Sequence, residues 1–567
     1  MQFRSTLKAI AVAGFGLSLA APAMSQGVAG SYLAARQASI FSDYRAAADY
    51  YARAMMQDTG NPALMENAVM AYLGLGQADR AAAVARRLIS TGATSQIANM
   101  VLMADGIKRE NFDAVLADIE AGQSVGPLID GLLKAWTQLG AGKMSDAVAT
   151  FDVVVETKGI EIFGLYHKAL ALGMAGDYEG AAAILSGETA GPLQLTRRGI
   201  LAYVQVLSQL DRNPDAIDLI DATFPGGLDP AMEQLRADLE AGKPIPFDAI
   251  RNTKDGAAEV YLVVAGALNG EAADGYTLLY SRLAEYLRPE QVDSILLSAS
   301  LLENLERYEL ATESYMKIPA DDPAFDDAEL GRADALRKSG DTEGAIAVLQ
   351  ELSAARPDNA AVLITLGDTF RGQERYEEAS NAYDAALALF PEPTRGQWRV
   401  FFARAITFER TDKWEQAEAD FRKALELNPG QPQVLNYLGY SFVEMGKNLD
   451  EAVELIKEAV AADPNSGYIV DSLGWVQFRT GEYADAVVNL ERAAELMPVD
   501  PVVNDHLGDA YWAVGRKIEA SFQWRRALSF DPEEKDATRI RRKLEVGLDV
   551  VLKEEGAEPI VLTAKDG

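Results

Sequence analysis

The stretch PNSGYIVDSLGWVQFRTGEYADAVVNLERAAELMP, residues 464–498, decides the fold. It opens and closes on proline. Within it Val470, Leu473 and Gly474 fall at i, i+3 and i+4, which lines one face of a first helix. Ala486, Leu490 and Ala493 fall at i, i+4 and i+7 and line one face of a second helix. Gly481 stands in the turn between them, where positive φ carries no steric cost. Pro498 has no N–H and disfavours helix in the residue before it, so it closes the second helix. Neither helix can bury its stripe alone. The pair must stack on neighbours of the same build.

Those neighbours exist. Pro391, Pro429, Pro464, Pro498 and Pro532 recur at intervals of 38, 35, 34 and 34 residues. The same small and large residues return between them. One unit reads Leu363, Leu366, Gly367, Phe370, then Ala379, Tyr383, Ala386. The next reads Phe401, Ala405, Phe408, then Ala417, Phe421, Ala424. Leu435, Leu438, Gly439, Phe442, Ala452, Ile456 and Ala459 form a third, and Leu507, Gly508, Tyr511, Ala520, Trp524 and Ala527 a last. Glycine and alanine let paired helix axes approach, while leucine and aromatic rings fill the space between pairs. Ile295, Ala299, Leu302, Ala311 and Tyr315 keep the frame more loosely, as do Ala333, Leu336, Gly340, Ala345 and Leu349.

A 34-residue period with this pattern resembles the tetratricopeptide repeat. The resemblance implies an all-α fold, an α-solenoid of helix-turn-helix repeats forming a right-handed superhelix, whose inner wall is lined by first helices and binds proteins or peptides. The array of seven repeats is expected over 292–534. Degenerate repeats of the same kind are expected over 26–240, where Ala47, Tyr51 and Ala54 or Gly142, Ala147 and Phe151 keep fragments of the pattern. Pro244 and Pro246 break the frame, so 241–291 reads as a joint with a non-repeat loop and helices. Residues 535–567 read as a capping helix and a loose tail.

The first 25 residues read as a signal peptide: Arg4 and Lys8, then the apolar run Ala9 to Ala21, then Pro22-Ala23-Met24-Ser25. The run of 13 residues falls short of the roughly 20 that a bilayer-spanning helix needs. No later stretch is long and apolar enough to serve as a transmembrane segment. The sequence has no cysteine, which removes thiolate metal sites, disulfides and the acylated cysteine of a lipoprotein. These features point to the periplasm. The formal charge of −32 becomes −34 once Arg4 and Lys8 are removed, so nucleic acid and anionic lipid surfaces are poor partners.

Motif-borne chemistry is sparse. His167 and His506 are the only histidines, and no phosphate-binding loop, zinc-protease or hydrolase motif is present. No cofactor is implied, and the chain reads as no enzyme. The rival reading, a glycan-cleaving envelope enzyme, would need a compact catalytic domain. Only 35 residues follow Pro532.

In tetratricopeptide proteins, positions 2, 5, 9 and 12 of the repeat face the groove. The resemblance therefore places Asn436 and Tyr440 on the wall, then Tyr468, Asp471, Trp475 and Phe478, then Asp505, Asp509 and Trp512. Trp475, Phe478 and Trp512 could equally pack between repeats. Interleaved carboxylates suit backbone N–H groups or lysine and arginine. The stretch LNYLGY (435–440), with DSLGW (471–475) and DHLGD (505–509), resembles bacterial envelope repeat proteins that include adaptors of carboxyl-terminal processing proteases. That resemblance implies a scaffold that recruits such a protease. The alternative is a scaffold for polysaccharide export or cell-wall assembly.

Overall fold

The computed structural model describes residues 28–557 apart from 190, 192, 226 and 229, so the leader expected at 1–25 and the end of the tail lie outside the described residues. Among the described residues the regular elements are helices, joined by turns. The all-α, helix-pair reading holds. The chain divides into two compact units, 1–348 and 349–567.

In the C-terminal unit, helices alternate as first and second members of pairs. Ala360–Gly372 packs on Tyr376–Ala388, and Trp398–Arg410 on Trp414–Leu427. Pro432–Met445 packs on Leu449–Ala462, Gly467–Arg479 on Tyr483–Leu496, and Pro501–Ala513 on Lys517–Leu528. Glu534–Val546 and Leu548–Glu554 follow the last pair. The small residues act as the periodicity predicts. Ala379, Ala417, Ala452, Ala486 and Ala520 are fully buried. A Cβ added at Gly474 would stand 2.5 Å from Leu490, and one at Gly508 would stand 2.5 Å from the Trp524 ring. The missing Cβ on one helix is thus the seat of the bulky residue on its partner.

Local signals set the ends. Each repeating proline falls just past a second helix, as Pro498 does after Leu496. The Asp500 side chain accepts from the N–H groups of Val502 and Val503, with Pro501 in the first turn. Gly481 and Gly515 turn the chain with φ of 84° and 82°. Glu374 and Asp412 occupy the corresponding turns of earlier pairs at φ of 58° without being glycine.

The N-terminal unit repeats the scheme with less regular residues, from Val28–Ile40 paired with Tyr44–Gln57 to Arg197–Gln209 paired with Asn213–Thr223. The segment read from sequence as a joint does more than connect. After the non-helical stretch around Pro244 and Pro246, Thr253–Leu268 and Asp274–Leu287 form a hairpin laid against the first helices of this unit. Tyr261 is fully buried, and its hydroxyl donates to the Met100 carbonyl at 2.8 Å. Gly256 lies against the Trp136 ring, where a Cβ would meet it at 2.3 Å. Tyr166 donates to Glu259 at 2.9 Å, and Tyr286 to Asp105 at 2.9 Å. Four first helices of this unit, Pro62–Gly74, Gln96–Lys108, Pro127–Gly140 and Glu161–Ala175, are therefore in contact with the chain's own hairpin.

Candidate partner-binding groove

In the C-terminal unit the first helices carry two clefts that share Tyr440 and Glu444. One, of about 530 Å³, is bounded by Asn436, Tyr437, Tyr440, Glu444, Tyr468 and Asp471, with Arg410 and Trp414 from the preceding pair. The other, of about 620 Å³, lies between Tyr440, Trp475, Val502, Asp505 and His506 on one side and Asp536 and Arg539 on the other. Register explains why these residues meet. Asn436 and Tyr440 are one turn apart on Pro432–Met445, as Asp471 and Trp475 are on Gly467–Arg479.

At the floor of the first cleft, Asn436 is 7% exposed and its Oδ1 has no hydrogen-bond partner. The same holds for other buried amides, Asn99 and Asn504 among them, and this oxygen has almost no accessible surface. Tyr468 is 46% exposed at the rim. Burial, helped by Glu409, pushes the Tyr437 hydroxyl up to about 12. Burial, with Glu444 and Asp471 nearby, raises Tyr440 further, so both phenols stay neutral donors at ordinary pH.

The wall between the clefts is a stack. The Trp475 ring lies parallel to His506 with centroids 4.0 Å apart, and parallel to Phe478 at 5.1 Å. Its Nε1 donates to Glu444 at 3.1 Å. His506 Nδ1 stands 2.9 Å from Asp471. Burial alone would depress the imidazole. The carboxylate of Asp471, with Asp505 and Asp509 behind it, outweighs burial and raises its pKa.

Asp505 and Asp509 meet a cation from the chain itself. Lys543 of the Glu534–Val546 helix is fully buried, with Nζ 2.8 Å from Asp505 and 2.7 Å from Asp509. Trp524 Nε1 also donates to Asp509, at 2.9 Å. Burial raises the Asp509 pKa against the pull of Lys543. Trp512 is held similarly: its Nε1 donates to Asp549 at 2.9 Å, and its ring sits where a Cβ on Gly547 would come within 2.4 Å.

Of the residues the sequence placed on the wall, Asn436, Tyr440, Tyr468, Asp471, Trp475 and Asp505 therefore border the clefts. Phe478 is buried behind Trp475, and Asp509 and Trp512 are engaged by the C-terminal helices. Repeat register gives the inward face of a first helix but not what later covers it. The sequence reading missed Glu444, His506, Arg539 and Lys543. One signal was available: Asp505 and Asp509 are four apart, and so are Arg539 and Lys543, two short stripes of opposite charge.

The N-terminal unit has a further concavity of about 540 Å³, mostly apolar, among Ile162, Phe163, Leu195, Leu262 and Val263. The ion pair of Arg198 with the buried Glu259, at 2.8 Å, borders it.

A family model described as tetratricopeptide repeat matches residues 336–397, and another of the same description matches 402–467. These stretches are tetratricopeptide repeats. Over 201 residues the chain is 30% identical to a TPR repeat-containing protein of Pseudomonas aeruginosa, a match covering 35% of this chain and 33% of that one. It is 27% identical over 182 residues to cellulose synthase operon protein C of Pseudomonas fluorescens, covering 30% of this chain and 14% of that protein. The chain spans about a third or less of these relatives' own length. Among solved structures, the APC/C hetero-tetramer Cut9-Hcn1 is similar over 91% of this chain and 95% of that one, at 15% identity and a TM-score of 0.37. The tetratricopeptide stretches include most of the Trp398–Arg410 helix and all of Pro432–Met445, which border the first cleft.

Proposed function

We propose that the C-terminal unit is a docking wall for a protein or peptide segment, and that the chain is a non-enzymatic scaffold. The carrying observation is the pair of clefts joined at Tyr440 and Glu444 on helices of the tetratricopeptide type, with Tyr468 exposed at the rim of the first. Aromatic rims over polar floors suit the anchoring of partner side chains. In the N-terminal unit, by contrast, the chain's own hairpin lies on the first helices.

The test places a photoreactive phenylalanine analogue at Tyr468 on the rim, and separately at Val488, 64% exposed on the second helix Tyr483–Leu496. The groove reading expects defined protein adducts from position 468 and none from 488 after irradiation in cells. Equal adducts at both, or adducts at 488 alone, would remove the groove from consideration.

The reading extends to an exported, periplasmic scaffold. The leader-like composition of residues 1–25 supports export. Recruitment of a carboxyl-terminal processing protease is supported by the resemblance over 435–532. A second reading, a scaffold for polysaccharide export, is supported by the similarity to cellulose synthase operon protein C. The adducts at position 468 decide between them: a protease in the first case, a component of the export machinery in the second.

A further inference from the structure

Apart from the groove of the C-terminal unit, we propose that the concavity of the N-terminal unit binds an uncharged amphiphile. Its class is a small molecule with a hydrocarbon or aromatic body and, at most, a hydroxyl or amide head. Three observations converge. The first is shape. Ile162 and Phe163 of Glu161–Ala175, Arg198 of Arg197–Gln209, and Leu262 and Val263 of Thr253–Leu268 border one space. Its volume of about 540 Å³ is that of a small-molecule site, far above a gap between packed side chains. The hairpin side of the space stays open because Gly266 and Ala267 stand there. A Cβ on Gly266 would meet nothing within 4 Å, whereas one on Gly256 of the same helix would strike the Trp136 ring.

The second is access. Ile162 is 56% exposed, a large apolar side chain that the fold leaves in water, and Gly266 and Ala267 are exposed as well. All three border the space, so its mouth is open to solvent. An apolar body seated on Phe163, Leu262 and Val263 would take Ile162 out of water too, and that burial drives binding.

The third is charge. Among the described residues, the charged side chains bordering the space are Arg197, Arg198, Glu259 and Asp293, two of each sign. In a chain of net charge −32 this balance is local. Glu259 is saturated: one oxygen accepts from Tyr166 and Arg198, the other from Arg198 and Gln291. Arg198 in turn spans Glu259 and Asp293. A charged head of either sign would leave water to join a network whose charges already cancel, and would meet like charge there. An uncharged head needs no counterion. Asp293, with its side chain 47% exposed, pairs with Arg198 through Oδ2 and offers Oδ1 to a hydroxyl or amide donor.

The probe is the uncharged dye N-phenylnaphthylamine, which brightens in apolar sites, titrated into the full chain. It is then displaced with decanol, decanoate or decylammonium, each kept below the concentration at which it aggregates. Decanol is expected to displace the dye with an apparent Kd at least about tenfold lower than either ion. Gly266→Leu puts a side chain into the open space, and Ile162→Asp puts a charge at the mouth. Each should weaken dye and decanol about tenfold or more, with circular dichroism melts unchanged. Ile518→Asp, at an 88% exposed site of the other unit, should change nothing. If Gly266→Leu melts early, Ile162→Asp, on an exposed side chain, decides alone. Dye and decanol binding that ignores Ile162→Asp overturns the site. Displacement by either ion as good as by decanol overturns the uncharged class. No dye binding, and no shift of the melt with decanol, overturns the proposal outright. Protein adducts from a photoreactive residue at position 162, with no displacement by decanol, would assign the space to a partner's side chain instead. None of these results bears on the C-terminal groove, whose adducts are read at position 468.

Discussion

At the scale of single residues, the groove is defined as much by what the chain fills as by what it leaves open. Lys543 is buried against two carboxylates, and such a group is hard to remove without penalty. Lys543→Met should destabilise the C-terminal unit by about 3 kcal/mol in urea melts, because the buried Asp509 is left with only the more distant Arg539, at 3.5 Å. Adding Asp509→Leu should recover a large part of that loss; a double variant as unstable as the sum of the singles would show that the pair is not coupled. Trp475 resolves an ambiguity in the sequence. At 9% exposure, stacked on His506 and parallel to Phe478, it is a packing residue with one polar edge. Trp475→Ala should therefore cost about 3 kcal/mol of stability. A melt unchanged by that substitution would return Trp475 to the open wall. Nothing in a one-dimensional repeat register separates the two roles, since the indole's neighbours come from Pro501–Ala513 as well as from its own helix.

At the scale of elements, the pattern of small and large residues was legible before any coordinates. Ala486 is fully buried between paired helices and has no room for a longer side chain. Ala486→Glu should cost about 3 kcal/mol or more, by overpacking and by burying an unpaired carboxylate. Circular dichroism melts would check it, and a cost below about 0.5 kcal/mol, as at an open surface site, would refute the pairing frame. The turns were legible where glycine stands, at Gly481 and Gly515. They were less so where Glu374 and Asp412 adopt the same left-handed backbone, which aspartate enters only occasionally and glutamate rarely. The hairpin of Thr253–Leu268 and Asp274–Leu287 was legible as helices around a proline-broken loop, but not as a cover for the first helices. Its partners lie far along the chain: Tyr261 reaches Met100, and Tyr286 reaches Asp105.

At the scale of the whole molecule, the two histidines give the two units opposite responses to pH. In the N-terminal unit, His167 is buried and lowered from 6.5 to about 4, with Trp136 Nε1 donating to its Nδ1 at 3.2 Å. That bond requires a neutral ring carrying its proton on Nε2. The unfolded state binds the proton first, so this unit loses stability as pH falls from 6.5 through about 4, by roughly 3 kcal/mol. In the C-terminal unit, His506 is raised above 6.5 by Asp471, so its contribution is full below 6.5 and fades as pH rises through the raised value. Hydrogen exchange resolved by segment, between pH 4 and 8, should show acid loosening the helices around His167 while those around His506 hold. His167→Gln should remove most of the acid effect in the first unit. Nuclear magnetic resonance titration of the wild-type imidazoles checks the premise directly: His167 titrating near 6.5 would contradict it.

By itself, the sequence determined that the chain is helical, that its helices pair, which faces pair, and where turns and prolines end them. Those properties follow from spacing along one chain, because a helix repeats every 3.6 residues and a stripe must be buried. Which inward residues face open space was decided only in three dimensions. Asn436, Tyr440 and Tyr468 border a cleft, while Asp509 and Trp512 on a neighbouring first helix are covered by the C-terminal helices. The physical reason is that covering depends on a second segment arriving from elsewhere in the chain. A charged stripe such as Asp505–Asp509 reads the same in one dimension whether a partner or Lys543 neutralises it.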